Sequence, residues 1–104
     1  MIEIRKFKDE KGRIPFDDWL DELSDHRAKA KILVRLKRLA EGNEGDRKPV
    51  GESVKELRIS DGKGYRVYYT WDGQEIVVLL AGGDKSTQDK DIETAKKYRR
   101  QYYA

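Results

Sequence analysis

Cysteine is absent from this 104-residue chain, and histidine and methionine occur once each. Without cysteine there can be no disulfide framework, thiolate metal site or cysteine nucleophile. A single histidine, His26, excludes a paired-histidine site, and its position at the start of a basic run reads as a surface or capping residue. Carboxylates are plentiful, but none stands at the ligand spacing of a calcium loop, and no serine sits in a nucleophile elbow. No apolar run approaches the length of a membrane span, and Met1 to Lys8 has no apolar signal core. The expectation is a cytoplasmic protein with no cofactor, no metal and no membrane partner. The length allows one domain, expected over 1–104, and excludes an enzyme built on a cleft between two lobes.

What the chain has in abundance is charge, at 41% of residues, beside 37% hydrophobic residues and ten aromatics, enough for a small core. The net charge of +3 conceals segregation. Residues 9–25 hold seven acids and two bases, whereas 27–38 hold six bases and no acid. Segregated basic surface points to an acidic or polyanionic partner.

Periodicity orders the elements. Residues 2–8 alternate apolar and polar as a half-buried strand. Pro15 suits a first helical turn, followed by Asp17 and Asp18 on the favourable side of the dipole. Phe16, Trp19, Leu20 and Leu23 form a short amphipathic stripe. Ser24 or Asp25 can cap a second helix that runs to about Glu41 and stops at Gly42. Ala28, Ile32, Leu36, Leu39 and Ala40 fall on one side of it. Arg27, Lys31, Arg35 and Arg38 fall on the other, either as a solvated stripe pairing with the acidic first helix or as a docking surface. Asn43 to Gly51 reads as a loop. Three strands follow at Val54–Ile59, Tyr65–Trp71 and Ile76–Leu80, the last apolar throughout and therefore central. Asp72-Gly73 signals a two-residue hairpin turn. The fold class expected is α+β: a small, mostly antiparallel four-stranded sheet in the order β-α-α-β-β-β-α, with helices on one face.

A short loop at Asp61-Gly62-Lys63 sets Arg58 directly opposite Arg66, and Glu56 opposite Tyr68. Like charges facing each other across strands are destabilising unless something answers them. Either Glu56 is that local acid, or the pair is reserved for an anion such as phosphate. Ala81 to Thr87 superficially resembles a P-loop but fails its pattern at Asp84 and Val78. It leaves Lys85 and a helix start, with capping-box spacing at Ser86 and Asp89, beside the arginines. The last helix, from about Asp89 to Gln101, interleaves Lys96, Lys97, Arg99 and Arg100 with tyrosines. These residues could stack on bases, or simply favour the helix dipole and cover the edge of the core.

A site of arginine, lysine, tyrosine and glutamate suits RNA cleavage, in which the substrate's own 2′-hydroxyl is the nucleophile. The protein need only align it, assist proton transfer and stabilise charge developing on phosphorus.

Three segments carry a resemblance: Glu56-Leu57-Arg58-Ile59, Gly64-Tyr65-Arg66-Val67-Tyr68-Tyr69, and Leu79 to Gln88 with its Ala-Gly-Gly-Asp-Lys-Ser-Thr core. Together with the Asn43–Val50 loop, their order and spacing resemble the RelE/ParE superfamily of bacterial toxins, in its phage-associated, HigB-like addiction-module branch. The resemblance implies a toxin neutralised by a cognate antitoxin, usually a helix-turn-helix DNA-binding protein through which operator DNA is reached only indirectly. It also implies cleavage of mRNA on the translating ribosome. The family's basic positions fall on Arg66, Arg58 and Lys85, with Tyr68 and Glu56 as weaker catalytic candidates. Docking to RNA and ribosome would fall to Arg27, Lys31, Arg35, Arg38, Lys48, Lys63, Lys97 and Arg100. Ribosome-dependent members often carry a tyrosine just past the last loop. Here the stretch is Gln88-Asp89-Lys90-Asp91, leaving Tyr68 or a C-terminal tyrosine to substitute. Superfamily members that inhibit DNA gyrase without RNA chemistry, and degenerate toxins that only bind their antitoxin and operator, are the competing expectations.

Overall fold

The computed structural model describes residues Met1–Ala104. Its elements are β1 (Glu3–Lys6), α1 (Pro15–Glu22), α2 (His26–Ala40), β2 (Arg47–Gly51), β3 (Val54–Ile59), β4 (Tyr65–Asp72), β5 (Ile76–Gly83), a 3-10 turn at Lys85–Thr87 and α3 (Gln88–Tyr102). The strands form one mixed sheet in the order β1-β5-β4-β3-β2, with β1 parallel to β5 and the other pairs antiparallel. The class is α+β, compatible with a RelE-like fold, with one strand more than expected. The extra strand is β2, which lies where the sequence reads as a loop. Pro49 has no backbone donor to give, and β2 accommodates it as an edge strand whose register breaks between Pro49 and Gly51.

Local signals act as their chemistry requires. Pro15 opens α1 with Asp17 and Asp18 in its first turn. Of the two possible caps for α2, Asp25 does the work, its carboxylate accepting from the Ala28 amide at 3.0 Å. Gly42 leaves that helix at φ +90°, a conformation costly for any residue with a Cβ.

Both faces of the sheet are covered, which corrects the expectation of helices on one side. Phe16, Ala28, Ile32 and Leu39 from α1 and α2 pack with Leu57, Val67, Tyr69, Val77 and Leu79. On the opposite face Ala95, Ile92 and Tyr98 of α3 pack with Val54, Tyr68, Val78 and Leu80. Strand β5 is therefore turned over relative to the register that a two-residue turn at Asp72-Gly73 would set. Asp72 pairs with Ile76, leaving a three-residue loop rather than a two-residue turn. A bulge sets Tyr68 opposite Ala81 and Tyr69 opposite Leu79. Beyond the bulge two glycines face opposite helices: a Cβ on Gly82 would lie 2.1 Å from the Trp19 ring, and one on Gly83 1.8 Å from the Asp91 carboxylate. These glycines let α1 and α3 approach the strand that delivers Lys85. No helix is long and apolar enough to cross a membrane.

Candidate functional site

The β3–β4 register is the expected one: Arg58 pairs with Arg66 and Glu56 with Tyr68. At this end of the sheet, the loop between β3 and β4 and the connection from β5 to α3 close around a cleft of about 420 Å³. No hydrophobic residue lines it, and its lining includes Arg58, Arg66, Lys85, Asp46, Ser60 and Asp61. The three basic residues singled out in the sequence thus share one concavity. Lys85 reaches it because its backbone amide donates to the Lys63 carbonyl at 3.4 Å. Its side chain also crosses Gly64, where a Cβ would sit 2.9 Å from the lysine carbons. The Gly64-Tyr65-Arg66 segment acquires a physical reading here, because its glycine makes room for the lysine of a different segment.

Beneath the cleft lies Glu56, fully buried. Its Oε1 accepts from Arg58 Nε at 3.3 Å and lies 3.4 Å from Arg66 Nε. Its Oε2 accepts from Tyr68 Oη at 3.3 Å and Gln88 Nε2 at 2.8 Å. The like-charged pair is thus answered by the local acid. The answer to Arg66 is incomplete, since its buried Nε is close enough for an ion pair but has no hydrogen-bond partner. Its Nη1 donates to the Gly64 and Tyr65 carbonyls at 3.2 and 3.3 Å, which holds the guanidinium at the floor of the cleft. Gln88, unremarked in the sequence except as part of a motif, completes the Glu56 shell from α3.

Two candidates lose direct contact with any substrate. Tyr68 is fully buried, and desolvation first, then the neighbouring Glu56 carboxylate, drives its hydroxyl pKa far above the ordinary phenol value. It cannot serve as an acid or base at the cleft surface, and Glu56 is equally sealed from solvent. Both lie beneath the arginines and neither lines the cleft. The 3-10 turn that begins at Lys85 is likewise committed. Asp84 caps it, accepting from the Ser86 amide at 2.8 Å and the Ser86 hydroxyl at 2.5 Å, and the hydroxyl bond in particular lowers its pKa. Ser86 makes no capping bond to α3, whose own start at Thr87 and Gln88 carries no side-chain cap.

The candidates for docking separate. Arg27 and Lys31 stand 3.8 and 3.5 Å from Asp61 of the cleft-side loop, so the basic stripe is answered there rather than by α1. Arg35 turns inward: it donates to the Arg58 carbonyl, to Asp46 O at 3.0 Å and to Glu44 O at 3.2 Å. It clamps the 43–46 loop and the end of β3, a positioning role, and desolvation lowers its pKa. Arg38, Lys48, Lys63 and Lys97 are exposed, with Lys63 nearest the cleft. Arg100 pairs with Glu52 at 3.5 Å, beside the β2–β3 turn at the far end of the sheet. The tyrosines of α3 mostly cover the core edge: Tyr98 stacks on Phe7 at 4.9 Å, and Tyr102 donates to Asp72 at 2.8 Å.

This architecture has relatives. The family described as "Phage derived protein Gp49-like (DUF891)" matches residues 18–100, a span that contains every residue lining the cleft. An uncharacterized protein of Haemophilus influenzae is 56% identical over 86 residues, covering 83% of this chain and 87% of that protein. With the match running from within α1 almost to the end of α3, this chain belongs to the phage-derived Gp49-like family, a RelE/HigB-like toxin-type family.

Proposed function

We propose that this chain is the toxin of a two-gene toxin–antitoxin module and an endoribonuclease that cuts mRNA on the ribosome. The convergence of Arg58, Arg66 and Lys85 in one polar cleft carries the reading. In this reaction the substrate's 2′-oxygen forms a bond to phosphorus as the bond from phosphorus to the 5′-oxygen breaks. A proton leaves the first oxygen and one is delivered to the second. Arg58 and Arg66 hold the scissile phosphate and stabilise its growing negative charge. Lys85, Asp46 and Asp61 are the titratable side chains of the lining available for the proton, in place of the buried Tyr68. A site with few acid–base groups suits an enzyme that relies on a large RNA assembly to orient its substrate. The partners under this reading are the ribosome with its message and a cognate helix-turn-helix antitoxin. Operator DNA is reached only through the antitoxin.

Primer extension on a translated message tests the reading. Arg58→Ala is the informative variant, because the Arg58 side chain is 35% exposed and less committed to the fold than Arg66. Loss of one such donor is expected to cut the rate by about 100-fold or more. Wild type and Arg58→Ala giving equal cuts would refute the assignment. Intact mRNA with an induced DNA-damage response would move the function to gyrase inhibition. Normal growth without antitoxin would leave only a binding module.

A further inference from the structure

Helix α2 carries six cations and no acid, yet its outward side is not uniformly polar. Leu33 and Val34 are 50% and 49% exposed, two of the four large hydrophobic residues left at the surface. With Ala30 they stand at i, i+3 and i+4 and form an apolar ridge on the helix. Beside the ridge runs a groove of about 360 Å³ lined by Ala30, Val34 and Ile59, with Lys31, Arg35 and Arg38 contributing its polar edge. Ser60 lines both this groove and the cationic cleft, so the two concavities adjoin.

We infer that this ridge and groove are a docking surface for an acidic amphipathic helix of a separate protein. Two observations favour protein over nucleic acid. Half-exposed leucine and valine offer nothing to a phosphate backbone, but they match the i, i+3, i+4 stripe of a partner helix. The groove also offers few cations to a phosphate backbone: Arg35 is spent on backbone carbonyls, which leaves Arg38 and half-exposed Lys31 on its edge. What remains is an apolar strip edged by positive charge, with Arg38 free. Its complement is an apolar strip edged by carboxylates. Identifying the owner of that helix as the neutralising partner rests on the proposed function. Because the groove abuts the cleft at Ser60, a helix seated there would extend over Arg58 and Lys85 with little extra chain.

The test is a fluorescence titration of the whole protein with a labelled peptide about five helical turns long, leucines on one stripe and glutamates beside it. The same peptide with lysine for glutamate, and a labelled single-stranded RNA, are run alongside. The acidic peptide is expected to bind and to weaken with salt, while its lysine counterpart does not bind. Val34→Glu should reduce affinity at least about tenfold, and Arg38→Glu a few-fold, with circular dichroism unchanged because both side chains are exposed. Equal binding by Val34→Glu overturns the proposal. So does RNA whose binding, rather than the peptide's, falls in Val34→Glu, and so does self-association of wild type that Val34→Glu abolishes. Toxicity plays no part in this titration. Failure of the peptide to bind therefore leaves the nuclease reading intact, and absence of mRNA cleavage leaves the docking surface intact.

Discussion

Replacing Glu56 with glutamine tests whether one buried carboxylate holds the cationic cleft together. The change keeps volume and one oxygen acceptor but removes the charge between Arg58 and Arg66. The two arginines are directly opposed on neighbouring strands. Two cations roughly 5 Å apart in an effective dielectric of about 20 repel by about 3 kcal/mol. Arg66 is 9% exposed and gains little from solvent, whereas Arg58 at 35% can swing outward and relieve part of the repulsion. A loss of about 2–3 kcal/mol follows, at the lower end of what breaking a buried pair costs. For a domain of this size that lowers the melting temperature by roughly 10–20 °C. Two further measurements make the reasoning specific. Adding Arg58→Gln to Glu56→Gln should recover more than half of the lost stability, because it removes the repulsion. Inorganic phosphate should raise the melting temperature of Glu56→Gln more than that of wild type, since the arginines then lack an internal competitor for the anion. Urea and thermal unfolding supply all these numbers. A Glu56→Gln variant as stable as wild type, or equal phosphate shifts in the two proteins, would refute the idea that Glu56 occupies the place of the ligand.

Two other expectations concern stability. The β2–β3 turn puts two non-glycine residues, Glu52 and Ser53, at φ 51° and 61°. Ser53→Gly should relieve roughly 1 kcal/mol of left-handed strain while adding about 0.5 kcal/mol of chain entropy, a small net gain. Its urea midpoint should therefore rise, and a fall would show that the serine side chain supports the turn. At acid pH the relevant group is Glu44, whose Oε1 accepts from Tyr69 at 2.6 Å, Lys55 at 3.0 Å and Trp71 at 3.2 Å. Burial acts to raise its pKa, but these donors outweigh it and hold the carboxyl below its ordinary 4.5. The folded state thus binds this proton less readily than the unfolded state. The stabilisation is present above the ordinary pKa and lost as pH falls through the folded one. Glu44→Gln should be less stable at neutral pH and show a shallower loss of stability below about pH 4.5. An acid limb as steep as that of wild type would refute the assignment.

Most of the fold was legible wherever one face of an element is polar. The Arg58–Arg66 and Glu56–Tyr68 pairings followed from alternation in Val54–Ile59 and Tyr65–Trp71, and the structure has both. Alternation is silent for Ile76–Leu80, which is apolar at every position. A one-residue slip there leaves the pattern unchanged while exchanging the faces of every side chain. That is where the two-residue turn expected at Asp72-Gly73 failed, and Val78 and Leu80 pack on the α3 side. The second covered face, by contrast, was legible, since a strand apolar on both sides is itself the signature of a sheet packed on both sides. Strand β2 was lost for a different reason. It is an exposed edge containing a proline, so neither burial nor propensity marks it.

The site was legible in its cations and illegible in what each cation is spent on. Helical spacing put Arg35 in line with Lys31 and Arg38, and it does lie on α2. Spacing says nothing about where a long, flexible side chain ends. Arg35 folds back on three carbonyls because the 43–46 loop turns its acceptors inward, a long-range fact carried by Glu44 receiving Tyr69 and Trp71. Glu56 shows the same limit from the other side. Sequence could pose the choice between a local counter-ion and a reserved anion site, but the structure holds features of both. The carboxylate neutralises the arginines from below, and its incomplete bond to Arg66 leaves a buried donor unsatisfied. Under the proposed function, a charge pair answered from within and open toward a polar cleft would be preorganised for the scissile phosphate, because the arginines are held in place before it arrives.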